Sequence, residues 1–146
     1  MHLHDRTFAE LDAAVLYAIL RLRSDVFVVE QDCPYPDLDG RDLEPATRHV
    51  WLSPADEPGN PRSYLRILGE PEGGVRIGRV CTAADARGLG LSRRLMTAAL
   101  QRVGDGPCVL DAQSYLVDFY ASFSFVIDGA EFVEDGIAHT PMRRSL

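Results

Sequence analysis

Apolar residues recur along the chain with two periods, and each period predicts one kind of element. A spacing of three or four residues predicts two amphipathic helices. The first starts near Phe8, behind a capping box formed by Thr7 and Glu10, and the second spans residues 91–104. The first helix has one apolar face, and Asp12 and Arg23 lie off it. The members of that face are Leu11, Val15, Ile19, Leu22 and Val26.

Short runs that suit strands precede and follow these helices. Residues 3–7 alternate apolar and polar positions, and prolines and glycines break regular structure across residues 34–45. Turn formers at residues 69–74 join two of the runs as a hairpin. The predicted strands are residues 49–52, 63–68, 75–82, 108–110, 125–127 and 138–143, and a further helix covers residues 116–123. This order predicts an α+β fold with a parallel crossover through the helix at 91–104.

Length and composition predict a single domain over residues 1–146, because 46% hydrophobic residues are enough for one core. The three cysteines, Cys33, Cys81 and Cys108, form no C-x-x-C pair. They predict neither a disulfide framework nor a zinc site, which is typical of a reduced cytoplasmic protein. No secretory signal and no apolar run of membrane-spanning length is present, so we expect no membrane partner.

Acidic residues outnumber basic ones and are unevenly distributed. The formal net charge of −7 argues against a nucleic-acid partner, which requires clustered Lys and Arg. Residues 25–44 contain seven acids and a single basic residue, Arg41. This stretch indicates attraction for a cationic ligand, and a solvated acidic loop is the alternative.

The loop Arg87-Gly88-Leu89-Gly90-Leu91-Ser92 stands directly before the second helix. Glycine permits backbone angles and close approaches that a side chain would block. A helix start offers unpaired N–H groups and a partial positive charge to an anion. The loop therefore predicts a phosphate-binding site.

Several unrelated kinds of phosphate site use such a loop, and two of them can be tested on the residues. A P-loop is excluded because Gly90 is followed by Leu91 and Ser92, and the chain contains no lysine. A dinucleotide fingerprint lacks its third glycine, since Arg93 occupies that position, although Asp111 stands at the distance where an acidic residue would bind ribose.

The loop resembles the pyrophosphate motif Arg/Gln-x-x-Gly-x-Gly/Ala of the GCN5-related N-acetyltransferase (GNAT) superfamily. Residues 119–125 resemble its later Tyr and Phe-Gly-Phe mark, with Ser124 in place of the usual glycine. Further blocks between residues 16 and 142 resemble the ElaA-like branch. They include Arg23 with residues 26–31, residues 33–35, residues 78–80, residues 112–113 and residues 134–139.

The resemblance implies a mixed, mostly antiparallel twisted sheet of six to seven strands, flanked by about four helices. It also implies direct transfer of an acetyl group from acetyl-CoA to a primary amine of a small molecule or peptide, without a metal. The implied cofactor-binding residues are Val80, Cys81, Thr82, Arg87, Gly88, Leu89, Gly90, Leu91, Ser92, Arg93, Gln113 and Tyr120, with Arg94 as an alternative source of charge.

Three catalytic tasks follow from this chemistry. A backbone N–H at or near Val80 polarises the thioester carbonyl. Tyr120 is the predicted acid for the departing thiolate, and the alternative is a half-buried core tyrosine. Glu30, His49 and His139 are the candidates for the base that deprotonates the amine. A structural histidine inside the sheet is the alternative for His49.

Two other functions fit the same sequence. The stretch around Arg23, Val26 and Phe27 is similar to one in acyl-homoserine-lactone synthases, which use acyl carriers and S-adenosylmethionine. A non-catalytic sensor that binds CoA compounds is the second alternative. A homodimer is also compatible, because an apolar helix face packs either internally or against a second copy.

Overall fold

The structure, a computed structural model, describes residues 1–145, and one mixed sheet of eight strands runs through them. The strands are β1 (His2–Thr7), β2 (Arg48–Ser53), β3 (Ser63–Gly69), β4 (Val75–Thr82), β5 (Cys108–Gln113), β6 (Val126–Ile127), β7 (Phe132–Glu134) and β8 (Ile137–Arg144). Within the described residues the α-helices are α1 (Ala13–Ser24), α2 (Leu91–Val103) and α3 (Val117–Ala121). The strand order is β1-β2-β3-β4-β5-β8-β6, and β7 pairs with β8.

The predicted fold class is confirmed. All strand pairs are antiparallel except β4 and β5, which are parallel and joined through α2. The sheet has eight strands where six to seven were expected. The strands β6 and β7 are only two and three residues long, and β7 carries no clear sequence pattern. The hairpin of β3 and β4 and the helix α2 have nearly their predicted limits.

The two faces of the sheet bury different helices because strand residues alternate between faces. Val50 and Leu52 of β2 pack in the cluster that covers α2, whereas Trp51 between them packs in the cluster that covers α1. The apolar positions whose spacing predicts α2 include Val103, which is half-buried. The others are buried, namely Leu91, Leu95, Met96, Ala99 and Leu100.

The first helix begins later than predicted. The Thr7–Glu10 capping box exists, with the Thr7 N–H donating to Glu10 Oε1 at 2.9 Å, but it caps only a 3₁₀ turn. Asp12 then caps α1 itself, since its carboxylate accepts from the Val15 N–H at 2.8 Å. After Ser24 the chain continues in a π-helical turn, Asp25–Glu30.

Strands β4 and β5 separate soon after they begin. Their parallel pairing consists of Val75 with Cys108 and Arg76 with Val109. Beyond these pairs, the edge of β4 that faces β5 has no strand partner among the described residues. A gap therefore opens in the middle of the sheet.

A β-bulge lies on β4 beside this gap. On β3, Tyr64 pairs with Cys81 and Arg66 pairs with Gly78, so two residues of β4 face the single residue between them. Arg79 adopts a left-handed conformation with φ of +54°. A bulge of this kind bends the strand and interrupts its hydrogen-bond ladder.

Candidate functional site

A cavity of about 850 Å³ occupies the gap between β4 and β5. This volume lies within the range of roughly 300–1,000 Å³ that is usual for ligand pockets. Its lining comes from the second half of β4, the end of β5, the first turn of α2, the π-helical turn Asp25–Glu30 and the turn between β7 and β8.

The glycine loop forms one end of the cavity. Gly88 and Gly90 have φ of +80° and +73°, the left-handed region that favours glycine. No heavy atom lies within 4 Å of a Cβ placed at either position, so the space above them is open. No side chain caps the start of α2 among the described residues. The N–H groups of its first turn are therefore available to an anion.

Hydroxyl groups fix the start of α2 to β4. Ser92 Oγ lies 2.7 Å from Thr82 Oγ1, which lies 2.8 Å from Ser63 Oγ. Ser63 Oγ in turn donates to the Cys81 carbonyl at 3.1 Å. This chain of hydrogen bonds sets the distance between the glycine loop and the open edge of β4.

Two arginines stand beside the glycine loop. Arg87 donates to both carboxylate oxygens of Glu30, at 2.8 and 2.6 Å, and to the Thr82 carbonyl. Arg93 lies over the rings of Phe119 and Phe123, with its guanidinium carbon 5.3 and 5.0 Å from their centroids. Both arginines line the cavity, so cationic charge lies near the helix start.

Two other residues predicted around the loop lie outside the cavity lining. Leu89 is exposed, and its side chain is absent from the lining residues. Arg94 instead donates to the Met1 carbonyl at 2.9 Å, which fixes it to the N-terminal end of the chain. Arg93 is therefore the one of the two neighbouring arginines that lines the cavity.

Tyr120 lines the middle of the cavity and is 6% exposed. Its ring packs edge-on against Phe119 and Phe125, with centroids 5.1 and 6.4 Å away. The Tyr120 hydroxyl forms no hydrogen bond with any described residue. Burial raises the pKa of Tyr120, so its phenol stays protonated at neutral pH.

The three base candidates occupy different environments. Glu30 and His139 line the cavity, and His49 does not. Hydrogen bonds from Arg87 lower the pKa of Glu30, which keeps its carboxylate ionised. His139 Nδ1 lies 2.9 Å from the Ile137 carbonyl, and its ring stacks on Phe132. A carbonyl only accepts, so Nδ1 is the donor and Nε2 keeps its lone pair.

His49 is fully buried inside the sheet. Its Nε2 lies 3.1 Å from the Asp42 carbonyl, and its Nδ1 lies 2.7 Å from the Tyr64 hydroxyl. Because the carbonyl requires a donor, Nε2 carries the proton and Nδ1 accepts from Tyr64. Burial also lowers the pKa of His49. The surroundings of His49 are therefore those of a structural histidine, which was the alternative for this residue.

The remaining predicted cofactor residues line the cavity. Val80 is one of the two bulged residues, and Cys81 and Thr82 end β4. Burial raises the pKa of the Cys81 thiol to about 12, which makes it a poor nucleophile at neutral pH. The Gln113 side-chain carbonyl accepts from Gln31 Nε2 at 3.4 Å, which links β5 to the π-helical turn.

A network of three arginines and three aspartates was not predicted from the sequence, and four of its members, Arg23, Arg66, Asp37 and Asp42, are buried. Arg23 is fully buried and bonds Asp37 and Asp42, at 3.0 and 2.7 Å. Arg66 bonds Asp39 and Asp42, and Arg79 bonds Asp37. The signals in the sequence were an arginine close to an apolar helix face and a run of acids without local bases.

This network changes the interpretation of the acidic stretch. Asp37 and Asp42 are buried, and Asp39 has its pKa held well below its usual range by hydrogen bonds from Arg66. Their charge is balanced by arginines of the same chain. These three carboxylates are therefore paired within the chain, and attraction of a cationic ligand by the acidic stretch stays a prediction.

Residues 1–145 were searched for a metal site and for a membrane-spanning helix. Within them, no group of three or more His, Cys, Asp or Glu side chains is arranged to hold a metal ion. No helix in that range is both long and apolar enough to cross a bilayer.

The split sheet, the uncapped helix behind two glycines and the cavity between them agree with the fold of acyl-CoA-dependent acyltransferases. The chain belongs to the GNAT acetyltransferase family, because the model of the acetyltransferase (GNAT) domain matches residues 46–146. This confirms the family resemblance seen in the sequence.

Relatives support this assignment over nearly the whole chain. The UPF0039 protein Rv2851c of Mycobacterium tuberculosis is 56% identical over 138 residues, covering 92% of this chain and 87% of the relative. Protein ElaA of Escherichia coli is 40% identical over 148 residues, covering 97% of this chain and 95% of the relative. The crystal structure of an acyl-CoA N-acyltransferase from Pseudomonas aeruginosa superposes with a TM-score of 0.92 at 41% identity, covering 99% of each chain.

A CoA-dependent acyl-homoserine lactone synthase, BjaI, also superposes, with a TM-score of 0.75 at 17% identity. The match covers 97% of this chain and 81% of BjaI. At this identity the likeness concerns the fold alone.

Proposed function

We propose that this protein transfers an acetyl group from acetyl-CoA directly to a primary amine of a small molecule or peptide. One observation carries the proposal: the gap between β4 and β5 is bordered by a helix start without a side-chain cap and by an unpaired strand edge. A long ligand with a pyrophosphate and an amide-containing arm matches both features. The family and the acyl-CoA N-acyltransferase neighbour agree with it.

The glycine loop binds the pyrophosphate in this proposal. The N–H groups from Gly88 to Ser92 donate to its oxygens, and the open space above Gly88 and Gly90 admits them. Arg87 and Arg93 supply positive charge. Arginine suits this role because its planar fork donates two parallel hydrogen bonds to phosphate.

The unpaired edge of β4 binds the pantetheine arm and the thioester. The arm adds to this edge as an extra strand would, through Val80 and Thr82 on one side and Gln113 on the other. The Val80 N–H donates to the thioester oxygen as negative charge develops there. The bulge interrupts the ladder at this point.

Proton transfers complete the reaction. The amine nitrogen attacks the thioester carbon, and the sulfur leaves as a thiolate that takes the Tyr120 proton. Tyr120 fits because it lines the cavity and its phenol is protonated. His139 takes the proton from the amine through its Nε2, and Glu30 attracts the ammonium form. His49 has no part in this proposal because both its ring nitrogens are bonded inside the sheet.

Calorimetry and a thiol-release assay test the proposal together. We expect the protein to bind acetyl-CoA with micromolar affinity. We also expect it to release CoA thiol with at least one amine among amino acids, polyamines, aminoglycosides and peptides with a free N-terminus. Binding without turnover on this panel would favour a sensor of CoA compounds. Turnover only with S-adenosylmethionine and an acyl donor would favour a lactone synthase, and the absence of binding would contradict the proposal.

A further inference from the structure

The β4 bulge contains a conformation that costs free energy. Arg79 has φ of +54° although it is not glycine. For a residue with a Cβ, the left-handed conformation is less stable than the right-handed one, because the Cβ comes too close to the following carbonyl oxygen. Such a conformation persists where surrounding contacts determine it, and it often marks a functional position.

The Arg79 side chain makes contacts that hold this conformation. Its Nη2 donates to the Asp37 carbonyl at 3.1 Å, and its Nε lies 2.8 Å from Asp37 Oδ1. Its guanidinium carbon lies 5.3 Å from the centroid of the Tyr35 ring. A second oxygen, Asp39 Oδ2, lies 3.5 Å from Nη2. The loop that carries these partners therefore fastens the bulge from outside the sheet.

Asp37 is itself fixed from two other directions. Arg23 donates to Asp37 Oδ2 at 3.0 Å and to its carbonyl at 2.9 Å. The Tyr35 hydroxyl donates to Asp37 Oδ1 at 2.8 Å. Arg23 is fully buried, and Asp37 is 7% exposed. Buried charges with several hydrogen bonds have few alternative positions, because each alternative leaves a charge unpaired.

The β3 side of the bulge is fastened to the same loop. Arg66 pairs with Gly78 across the strands, immediately before the bulged residues. Its Nη1 donates to Asp39 and Asp42 at 2.9 and 3.0 Å. Side chains of both strands at the bulge are thus bonded to the loop at residues 37–42. The bulged backbone that these contacts hold includes Val80.

We infer that Arg79 and Asp37 are positioning residues, which hold the bulge so that the Val80 N–H points at the thioester carbonyl of the acyl donor. This inference rests on the proposed function. Arg79 lines the cavity and Asp37 does not, and in this proposal neither side chain acts directly on the reacting atoms. Their contribution is to fix a backbone donor in advance, since a donor placed correctly before the reaction stabilises developing charge without reorganisation.

The carbonyl band of bound acetyl-CoA labelled with ¹³C at the thioester carbon tests this inference directly. In the wild-type protein, isotope-edited infrared spectra should show the band at a lower frequency than in free acetyl-CoA, because a hydrogen bond weakens the carbonyl bond. Arg79→Gly accepts φ of +54° without strain but loses every side-chain contact. We expect its band to return towards the free value, with the dissociation constant within about twofold of wild type.

Kinetics give a second readout, with the fastest amine of the panel above. Arg79→Gly should lower kcat at least tenfold with little change in KM for acetyl-CoA, since loss of one oxyanion donor costs roughly 10²–10³ in kcat. Tyr35→Phe removes the hydroxyl that bonds Asp37 and keeps the ring under Arg79. It should shift the band and kcat in the same direction by a smaller amount, so the inference stays testable even if Arg79→Gly fails to fold.

Arg48→Gly is the matched control. It removes another strand arginine with an ion pair, to Asp5 at 2.8 Å, and Arg48 is not among the residues that line the cavity. Its carbonyl band and kcat should equal those of wild type. A wild-type band in folded Arg79→Gly, or no band shift in wild type with acetyl-CoA bound, would overturn the inference and leave the proposed function standing. Failure of wild type to bind acetyl-CoA would instead overturn the proposed function.

Discussion

Tyr120 has the surroundings of a proton donor. Its ring is held by Phe119 and Phe125, and burial raises its pKa, so the phenol is the state present at any ordinary assay pH. An alkaline loss of kcat should therefore not arise from Tyr120. The loss of its hydroxyl, in contrast, should be visible at every pH.

We expect Tyr120→Phe to lower kcat by roughly ten- to a thousandfold, the usual range for removal of a general acid or base. The KM for acetyl-CoA should change little, because the phenylalanine ring fills the same space. Steady-state kinetics with the thiol-release assay provide the measurement. Tyr17→Phe, on the exposed side of α1, is the control and should keep wild-type kinetics. A wild-type kcat in Tyr120→Phe would remove Tyr120 from the acid role.

Glu30 and Arg87 form an ion pair that competes with an anionic ligand. The two hydrogen bonds between them occupy the fork that the pyrophosphate would use. Both side chains are partly exposed, so the competition is screened by solvent and modest.

We expect Glu30→Gln to bind CoA about two- to fivefold more tightly than wild type, since an exposed ion pair contributes only ~0.2–1 kcal/mol. Calorimetry at low salt measures the change, and the difference should shrink at high salt. Asp32→Asn is the control, because it removes one negative charge nearby from a residue with no ion pair among the described residues. Equal or weaker binding in Glu30→Gln would contradict the competition.

At the scale of elements, the glycine loop and α2 act as one unit. Positive φ angles at Gly88 and Gly90 turn the chain so that the helix start faces the cavity. The hydroxyl contacts of Ser92 with Thr82 then keep this start against β4. The proposed sites for the pyrophosphate and for the acyl arm therefore lie on adjoining parts of the chain.

We expect Gly90→Glu to weaken acetyl-CoA binding at least tenfold in calorimetry. The new carboxylate stands where the ligand's anion binds, and the side chain is placed at φ of +73°. Gly73→Glu is the matched control: it has φ of +97°, open space around its Cβ, and a place in the turn before β4. It should lose similar stability and keep its affinity. Unchanged affinity in folded Gly90→Glu would contradict a pyrophosphate site at this loop.

In the turn after α3, a serine adopts the left-handed conformation that glycine usually provides. Ser124 stands where the resemblance expects glycine, and its φ is +72°. The Ser124 N–H bonds the Ala121 carbonyl at 3.0 Å, and the Phe125 N–H lies 3.4 Å from the Tyr120 carbonyl. The turn that places Phe125 against Tyr120 is therefore kept without glycine, and the strain is borne by the serine.

At the scale of the whole molecule, buried ionisable groups make stability depend on pH. Burial lowers the pKa of His49 and of His4, so below pH 6.5 the unfolded chain binds protons that the folded protein does not. The pKa of Asp39 is lowered by Arg66. The contribution of Asp39 to the free energy of unfolding is therefore complete above about pH 4 and is lost as the pH falls further.

We expect the free energy of unfolding to be constant from pH 8 to about 6.5 and then to fall in two stages. The first stage comes from the histidines, at most about 1.4 kcal/mol per pH unit for each, and the second begins near pH 4. His49→Gln should reduce the first stage, whereas His2→Gln, which is exposed on β1, should not. Urea titrations at several pH values measure both. An unchanged first stage in folded His49→Gln would contradict this assignment.

The sequence by itself determined the elements whose pattern is local. The period of apolar residues defined α2 and its buried stripes, turn formers defined the hairpin of β3 and β4, and the two glycines marked the helix start that lines the cavity. These predictions were correct because backbone angles and amphipathic faces depend on neighbours within a few residues.

Only the tertiary structure decided which charges are buried and where the sheet opens. Arg23 reaches Asp37 and Asp42 from 14 and 19 residues away, and Arg79 reaches Asp37 from 42. The same holds for His49, which looks like a base in the sequence and is a donor and acceptor inside the sheet. A charged side chain is stable in the interior only where it has a partner. Here the partners come from distant parts of the chain, so the local sequence pattern does not show which residues pair.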